Sequence, residues 1–555
     1  MRITMKIIFN FLALIILSGN VTAQWTTDAN NDTPTYLAPL SSNGMGNSFT
    51  SDVDEQGNIF IGITISQFGG DIALQKVDSN GYQQWGTSGV VITSTTFNAQ
   101  SSPFIIADDI GGCYVAYDDN DFFNGAFIQH FDAQGIPQIP GKGKLILQNA
   151  YQTFGDISML KQDNFLYISL TAEKLSDKQV YLQKMDSNLN YVWDSTGVNL
   201  SLPGVDELQS KIISDGVGGM VVLYNRYYSL FNYQVRAQRV DSAGNILWGP
   251  VGKFLNPANL LYSPSMKITA DTNYHFYVVW DAGANTNSDI YAQKLDTAGN
   301  FLWGPTELHV CDTVRVQNFP DIVADNFGGA YFVWSDRRSS IPIDYCFAQY
   351  INSAGQKLWT KQGLAIDTLP YYNAIYPKLY HDSYGLNVFW TGTSSGNRIY
   401  KQLLDSNGIQ KCTAYGVPVT GLDHFSFDGD NIIPLAKGDL VVACIDAYNS
   451  MFLKYVPSGC SFTSVSVSES NFEHDFIIAP NPAVSNTLLI FDIKKQTEVT
   501  ITICDIAGKR MMHSNLKADL GRNNIPLNLA TWPKGFYTVE VMYGQKRQQK
   551  KLIVQ

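Results

Sequence analysis

Three observations predict an all-β chain assembled from tandem units. Similar segments recur at a period of about 54 residues, a spacing that marks repeat architectures. Within each period, apolar and polar residues alternate over short stretches bounded by Gly, Asn and Asp, the period-two signature of strands. Long 3.6-residue periodicity is missing, and a hydrophobic content of 45% is enough to pack an interior rather than leave the chain disordered.

The chain opens with Arg2 and Lys6, then an apolar run over Ile7–Leu17 broken by Asn10. Val21-Thr22-Ala23 places small residues before a cut ahead of Gln24, so residues 1–23 read as a signal peptide. The run is shorter than the roughly 20 residues a membrane span needs. No later segment reaches that length, so the mature chain is expected to carry no transmembrane segment.

The repeats occupy residues 24–460. One marker is a strand that ends in a turn and is followed by Trp: QKVDSNGYQQW (75–85), QKMDSNLNYVW (183–193, Leu189 in the Gly slot), QRVDSAGNILW (238–248) and QKLDTAGNFLW (293–303). Degenerate copies are QHFDAQGIPQI (129–139), QYINSAGQKLW (349–359) and QLLDSNGIQKC (402–412), and KYVPSG (454–459) fills an eighth slot. A second marker, a turn often containing Gly-Gly followed by alternating apolar residues, has eight copies, GGCYVAYDD (111–119) and GGAYFVWSD (328–336) among them. Each unit reads as four short strands. In the second they are Pro103–Ala107, Cys113–Tyr117, Ala126–Phe131 and a segment around Lys144–Leu147.

Four strands per unit of this length is the blade pattern of a β-propeller. Eight blades are expected, with seven and one irregular segment as the alternative. The last unit lacks a Trp-type fourth strand, whereas Gln24-Trp25 opens the mature chain about sixty residues before Gln84-Trp85. Residues 24–40 are therefore expected to supply the outer strand of the last blade and close the ring, leaving no open edge. The units resemble tandem repeats of secreted bacterial proteins that carry W-x-D, D-I-Y-A-Q and D-x-x-G-x-x-x-W elements, best seen in Asp289–Trp303, DIYAQKLDTAGNFLW. That resemblance implies a propeller and no particular activity.

Ser-rich residues 461–474 read as a linker. Residues 475–555 then alternate as strands again, suggesting a small β-sandwich. They contain FIIAPNPAVSNTLLIFD (476–492), VTITICDIAGKRM (499–511), GRNNIPLNL (521–529), KGFYTVEV (534–541) and a closing KKLIVQ. In this order the segments resemble the C-terminal sorting domain of type IX secretion in Bacteroidetes-type outer membranes. The resemblance assigns the signal to Pro480, Asn481, Pro482, Asp505, Gly508, Gly521, Asn523, Gly535 and Tyr537. It implies recognition by the type IX secretion machinery, delivery to the cell surface or medium, and frequent removal of the domain on arrival.

From residue 476 onward there are 11 Lys+Arg against 5 Asp+Glu, and the first 23 residues carry two more positive charges. With a net charge of −11 overall, residues 24–475 hold a surplus of 19 negative charges. That argues against nucleic acid, whose phosphates need a basic stripe. The seven Cys (113, 311, 346, 412, 444, 460, 504) are scattered and make no disulfide framework, although an oxidising compartment permits a pair. Cys113 and Cys444 stand at matching apolar strand positions and read as buried small hydrophobes.

The repeated Asp (78, 132, 186, 241, 296, 405) read as turn formers whose carboxylates take backbone N–H groups. The repeated Trp (85, 193, 248, 303, 359) read as packing between blades. Non-repeating segments between second and third strands are the candidate binding loops. They carry Tyr224, Arg226, Tyr227, Tyr228 and Asp281, and a cluster of Asp336, Arg337 and Arg338. Asp118, Asp119 and Asp121 offer oxygens to a calcium ion, and no other cofactor is expected. No HExxH, GxSxG or phosphate loop is found. The expectation is therefore a secreted or surface binding protein for a glycan or protein ligand. An extracellular glycoside hydrolase or polysaccharide lyase is the alternative, and a structural surface or motility component the third reading.

Overall fold

The computed structural model describes residues 33–34, 49–65, 71–86, 89–92, 100–119, 125–148, 152–153, 156–173, 177–202, 204–229, 232–256, 264–284, 286–339, 343–367, 373–393, 397–413, 415–420, 424–425, 432–435, 439–446, 451–460, 476–479, 481, 483–493, 497–505, 509–519, 521–543 and 546–554. All elements among them are strands. The chain divides into two compact units, Met1–Phe462 and Thr463–Gln555.

The first unit contains eight small antiparallel sheets among the described residues. In the second sheet the strands are Gln100–Ala107, Cys113–Asp119, Gly125–Phe131 and Lys144–Leu145, hydrogen-bonded in sequence order. The first (Phe49–Val53 to Val90–Ile92), fourth (Asp206–Ser214 to Lys253–Phe254), fifth (Met266–Ala270 to Leu308–Cys311), sixth (Gln317–Ala324 to Leu364–Asp367) and seventh (Asn373–Asp382 to Val417–Pro418) repeat this order. In the third, Gln152–Thr153 and Ser158–Gln162 share one place beside Phe165–Glu173. The eighth consists of His424–Phe425 and Ile432–Pro434, Leu440–Asp446, Met451–Val456 and, beyond these, Thr33–Pro34. Thr33 pairs with Leu453 and Pro34 with Phe452, so a strand from the N-terminal segment forms the outer edge of this sheet. Residues 24–32 and 35–40 lie outside the described residues.

Apolar side chains pack between sheets. One cluster joins Tyr114 and Ile128 of the second sheet to Ile168 and Met185 of the third. Another joins Ile61 and Ala73 of the first sheet to Ile433, Val441 and Leu453 of the eighth. The fourth strands begin several residues beyond the repeated Trp, which instead crosses to the neighbouring sheet. The Trp85 Nε1–H donates to the Ala133 carbonyl at 3.1 Å, and a Cβ on Gly135 would come within 3.0 Å of the indole. Trp193 and Gly244, Trp248 and Gly299, Trp303 and Gly355, and Trp359 and Gly408 repeat the contact. At the seventh sheet Cys412 holds the Trp position and forms a disulfide with Cys460 at the end of the eighth.

Every turn Asp expected from the sequence accepts two backbone N–H groups through one oxygen, as Asp296 does from Ala298 and Asn300, and Asn352 does the same. The Gln at the head of the marker satisfies the following loop. Gln293 is fully buried, its Nε2–H donates to the Gly304 and Thr306 carbonyls, and its Oε1 accepts from Trp303 N–H. Cys113 and Cys444 are fully buried.

In the second unit a three-stranded sheet (Ile477–Ala479, Asn486–Ile493, Gly521–Asn528) and a four-stranded sheet (Thr497–Asp505, Arg510–Ala518, Gly535–Tyr543, Lys546–Val554) share one core. Phe476, Leu489 and Leu527 meet Val499, Ile501, Val539 and Leu552 in it.

Candidate functional site

The first strand of several sheets is bulged at one place. The register slips at Ser101/Phe104, Leu208/Lys211, Asn318/Asp321 and Ile375/Lys378. Each slip contains a non-glycine residue in the left-handed region: Ser102 (φ 54°), Gln209 (58°), Phe319 (53°) and Tyr376 (52°). A bulge re-aims side chains, and such φ values cost on the order of 1 kcal/mol or more each. Pro103, Pro320 and Pro377 follow directly, and proline, lacking an N–H, is tolerated in a strand at a bulge.

Gln209 and Phe319 border a cavity of about 250 Å³ at the starts of the first strands of the third to sixth sheets. Asp156, Ser210, Lys211, Ser265 and Lys267 also line it. Burial pushes the Asp156 carboxyl above its usual range, while the Gln209 N–H (3.0 Å), the Lys211 charge and the Thr171 hydroxyl (3.3 Å) oppose the rise. Phe319 packs at 4.7 Å against Tyr376, the rings tilted by 55°. A carboxyl, hydroxyls and two ammonium groups beside an aromatic pair suit a polyhydroxylated ligand better than an apolar one. A second cavity, of about 440 Å³, is lined by first-strand segments of the first, second, third and eighth sheets, including Asp52, Phe104, Met159 and Ile433.

The segments expected as binding loops are largely strand, which corrects that expectation. Residues 224–229 continue Met220–Ser229, and residues 280–284 continue Phe276–Ala284. The ladder pairs their backbone, and alternation sends every second side chain inward. Tyr224 is accordingly fully buried among Tyr167, Leu200 and Val222, its hydroxyl toward the Leu200 carbonyl. Arg226 is buried in an ion pair with Glu207, whose carboxyl burial pushes up against the pull of Arg226. Tyr227 packs against Tyr233 at 5.1 Å, the rings tilted by 40°, and Tyr228 is exposed, 5.9 Å from the Arg226 guanidinium.

Asp281 is buried and positions the cavity. Its Oδ1 accepts from Ser265 N–H at 2.8 Å and its Oδ2 from Phe319 N–H at 3.3 Å. Asp336 is buried under Arg338 and accepts from Trp334 Nε1–H at 2.9 Å. Arg338 lies 3.7 Å over the Phe347 ring, and Arg337 pairs with Asp344. Of the predicted residues, Asp281 alone is bonded to cavity-lining backbone through the bonds described; Asp336, Arg337 and Arg338 form their own cluster in the sixth sheet. The cavity residues themselves carried no sequence motif. The prolines that interrupt the first strands were the available signal.

The calcium expectation meets a different chemistry. Asp118 is buried against the Thr153 hydroxyl and Asp119 against Lys142 at 3.0 Å, while Asp121 lies outside the described residues. Among the described residues, no group of three or more His, Cys, Asp or Glu could hold a metal ion.

The C-terminal unit is decided by its own sequence, because residues 477–555 match the family described as the secretion system C-terminal sorting domain. Residues 477–555 are a sorting domain. The protein is exported by type IX secretion to the cell surface or extracellular space. Among the described residues no helix is long and apolar enough to cross a membrane.

Within the sorting domain the Asn481 amide ties the entry of the unit to its last strand, donating to the Lys551 carbonyl (2.6 Å) and accepting from Ile553 N–H (2.8 Å). Asp505 caps the turn to Lys509, Asn523 exchanges bonds with the Asp519 backbone, and buried Tyr537 donates to the Pro533 carbonyl beside Trp532. Gly521 and Gly535 open strands; Pro480, Pro482 and Gly508 lie outside the described residues.

A comparison with curated proteins found no match. Among solved structures, a GH43 endo-arabinanase from Bacillus licheniformis is 11% identical at a TM-score of 0.25, covering 48% of this chain and 98% of its own. A protein of unknown function from Dyadobacter fermentans is 10% identical at 0.33, covering 58% and 96%. The plexin A4 extracellular region is 10% identical at 0.38, covering 91% and 66%. At these scores the likenesses carry no weight for fold or activity.

Proposed function

We propose that the exported chain is a binding protein whose N-terminal unit is an eight-bladed β-propeller, with its ligand, a glycan-like polyhydroxylated molecule, held in the cavity of the first strands. Support for the propeller comes from eight successive small sheets, six of them four-stranded and two with a divided first strand, the core shared by the first and eighth, and the Thr33–Pro34 strand on the eighth. The observation that carries the function is the left-handed backbone of Gln209 and Phe319 beside Asp156, Lys211 and Lys267, since strain concentrates where a site must be aimed. Asp281 accepts from the Phe319 N–H and Asp156 from the Gln209 N–H, which holds that backbone in place. The sorting-signal role of Asn481, Asp505, Asn523 and Tyr537, together with Pro480, Pro482, Gly508, Gly521 and Gly535, belongs to the same reading.

Hydrolysis or elimination of an extracellular polysaccharide is the second reading. It is favoured by the raised Asp156 carboxyl, a property of a general acid. The test is calorimetric titration of the exported protein with soluble polysaccharides, with product release followed in parallel. Saturable binding lost in Asp156→Asn and Lys211→Ala, without product, supports the binding protein. Product formation abolished by Asp156→Asn supports the enzyme, and binding untouched by either substitution removes the cavity from consideration.

A further inference from the structure

In a four-stranded antiparallel sheet of sequential order, the turn between the first two strands and the turn between the last two leave from the same edge. In this chain that edge, opposite the cavity, is lined with exposed apolar side chains. The first turns of the second, fourth, sixth and seventh sheets present Ile110, Val217, Phe327 and Tyr384 two residues beyond the turn Asp, and that of the fifth presents Tyr274 one residue later, Phe327 with 89% of its surface exposed. Turns of the last two strands add further exposed aliphatics such as Leu302.

The corners of the fourth, fifth and sixth sheets adjoin one another. The Tyr274 ring lies over Gly216, next to Val217, where a Cβ would meet it at 2.3 Å. Thr272 N–H donates to the Asn326 side chain, next to Phe327. Lys294 reaches from the fifth sheet to the Gly328 carbonyl of the sixth, and Arg239 from the fourth to the Thr297 carbonyl of the fifth.

The same bonds withdraw the positive charges. Lys184 and Lys294 are buried and donate to turn carbonyls, and Arg239 pairs with buried Asp215. The turn carboxylates of Asp186, Asp241 and Asp296 stay at the surface, and their turn hydrogen bonds hold them below the usual carboxylate range. The edge is thus apolar at its corners and negative around them. Exposed apolar patches rimmed by polar groups mark interaction surfaces, and charge complementarity selects the partner.

We propose that this turn-lined edge docks a basic, amphipathic polypeptide segment, its apolar side chains against Val217, Tyr274 and Phe327 and its lysines or arginines facing the turn carboxylates. The site is independent of the cavity and of the ligand bound there. The experiment measures fluorescence anisotropy of an amphipathic lysine–leucine peptide, with its glutamate–leucine and lysine–serine counterparts, against the exported protein. Saturable binding of the lysine–leucine peptide alone is expected. It should fall at least tenfold in a Val217→Ser, Phe327→Ser double variant, weaken with added salt, and survive in Val314→Ser, an exposed apolar residue outside these turns. Equal binding of the lysine–serine peptide, no effect of the double variant, or self-association lost in that variant would overturn the proposal. The substituted side chains are exposed, and an unchanged melting midpoint confirms that the variants are folded.

Discussion

Leu189 takes the left-handed turn position (φ 64°) that glycine holds in the neighbouring repeats, and it packs in one core with Ile139, which stands where those repeats place Trp. At the junction of the second and third sheets the large residue has moved from one partner to the other. Elsewhere the indole needs a turn without a Cβ, as Trp85 needs Gly135. Here a smaller side chain leaves room that Leu189 fills, buried to 2% exposure.

That exchange predicts coupling. Ile139→Trp overpacks the junction and should cost about 1–3 kcal/mol. Leu189→Gly leaves a cavity, offset in part by relief of the left-handed backbone, and should cost a similar amount. The double variant should recover about 1 kcal/mol or more relative to the sum. Urea unfolding of the four proteins checks this; simple additivity would show that the two positions do not share one space.

The last junction replaces stacking by a covalent bond, Cys412–Cys460, which closes a sequence separation of 48 residues. Reduction should lower the melting midpoint of the first unit by the equivalent of about 2–4 kcal/mol. A Cys412→Ala, Cys460→Ala variant should melt at the reduced value with or without reductant. A midpoint indifferent to reductant in the parent protein would contradict this.

Lys401 is fully buried in the seventh sheet and donates to the Pro457 and Gly459 carbonyls at 3.2 and 2.9 Å. Burial pulls its ammonium down to about 8, against the opposing charges of Asp382 and Asp439. Between that value and the ordinary 10.5 the unfolded chain holds a proton that the folded chain has released. Stability should therefore rise with pH across this window, because the unfolded state binds more protons there. Lys401→Met should flatten the slope, as read from denaturant midpoints across the window. A slope unchanged in the variant would assign the effect to other groups.

The repeat, the strands and the turn carboxylates are visible in the sequence because each depends on residues a few positions apart. QKLDTAGNFLW contains its own strand end, its Asp296 turn and its Trp303. The export route is visible for the same reason, since Gly521–Leu529 and Lys534–Val541 are contiguous motifs. What lies between repeats is not local. That Cys412 meets Cys460, that Ile139 answers Leu189, and that Asp281 binds the backbone of Ser265 and Phe319 follow from the lateral packing of one sheet on the next. No spacing within a single unit encodes that packing. Arg226 and Tyr224 looked like binding residues because composition reports residue type, whereas the continued strand ladder decided which side chains turn inward. The sequence by itself determined an exported all-β repeat chain with a sorting domain. The tertiary structure decided which polar groups the core consumes and which remain around the first-strand cavity, because desolvation and pairing depend on neighbours distant in sequence.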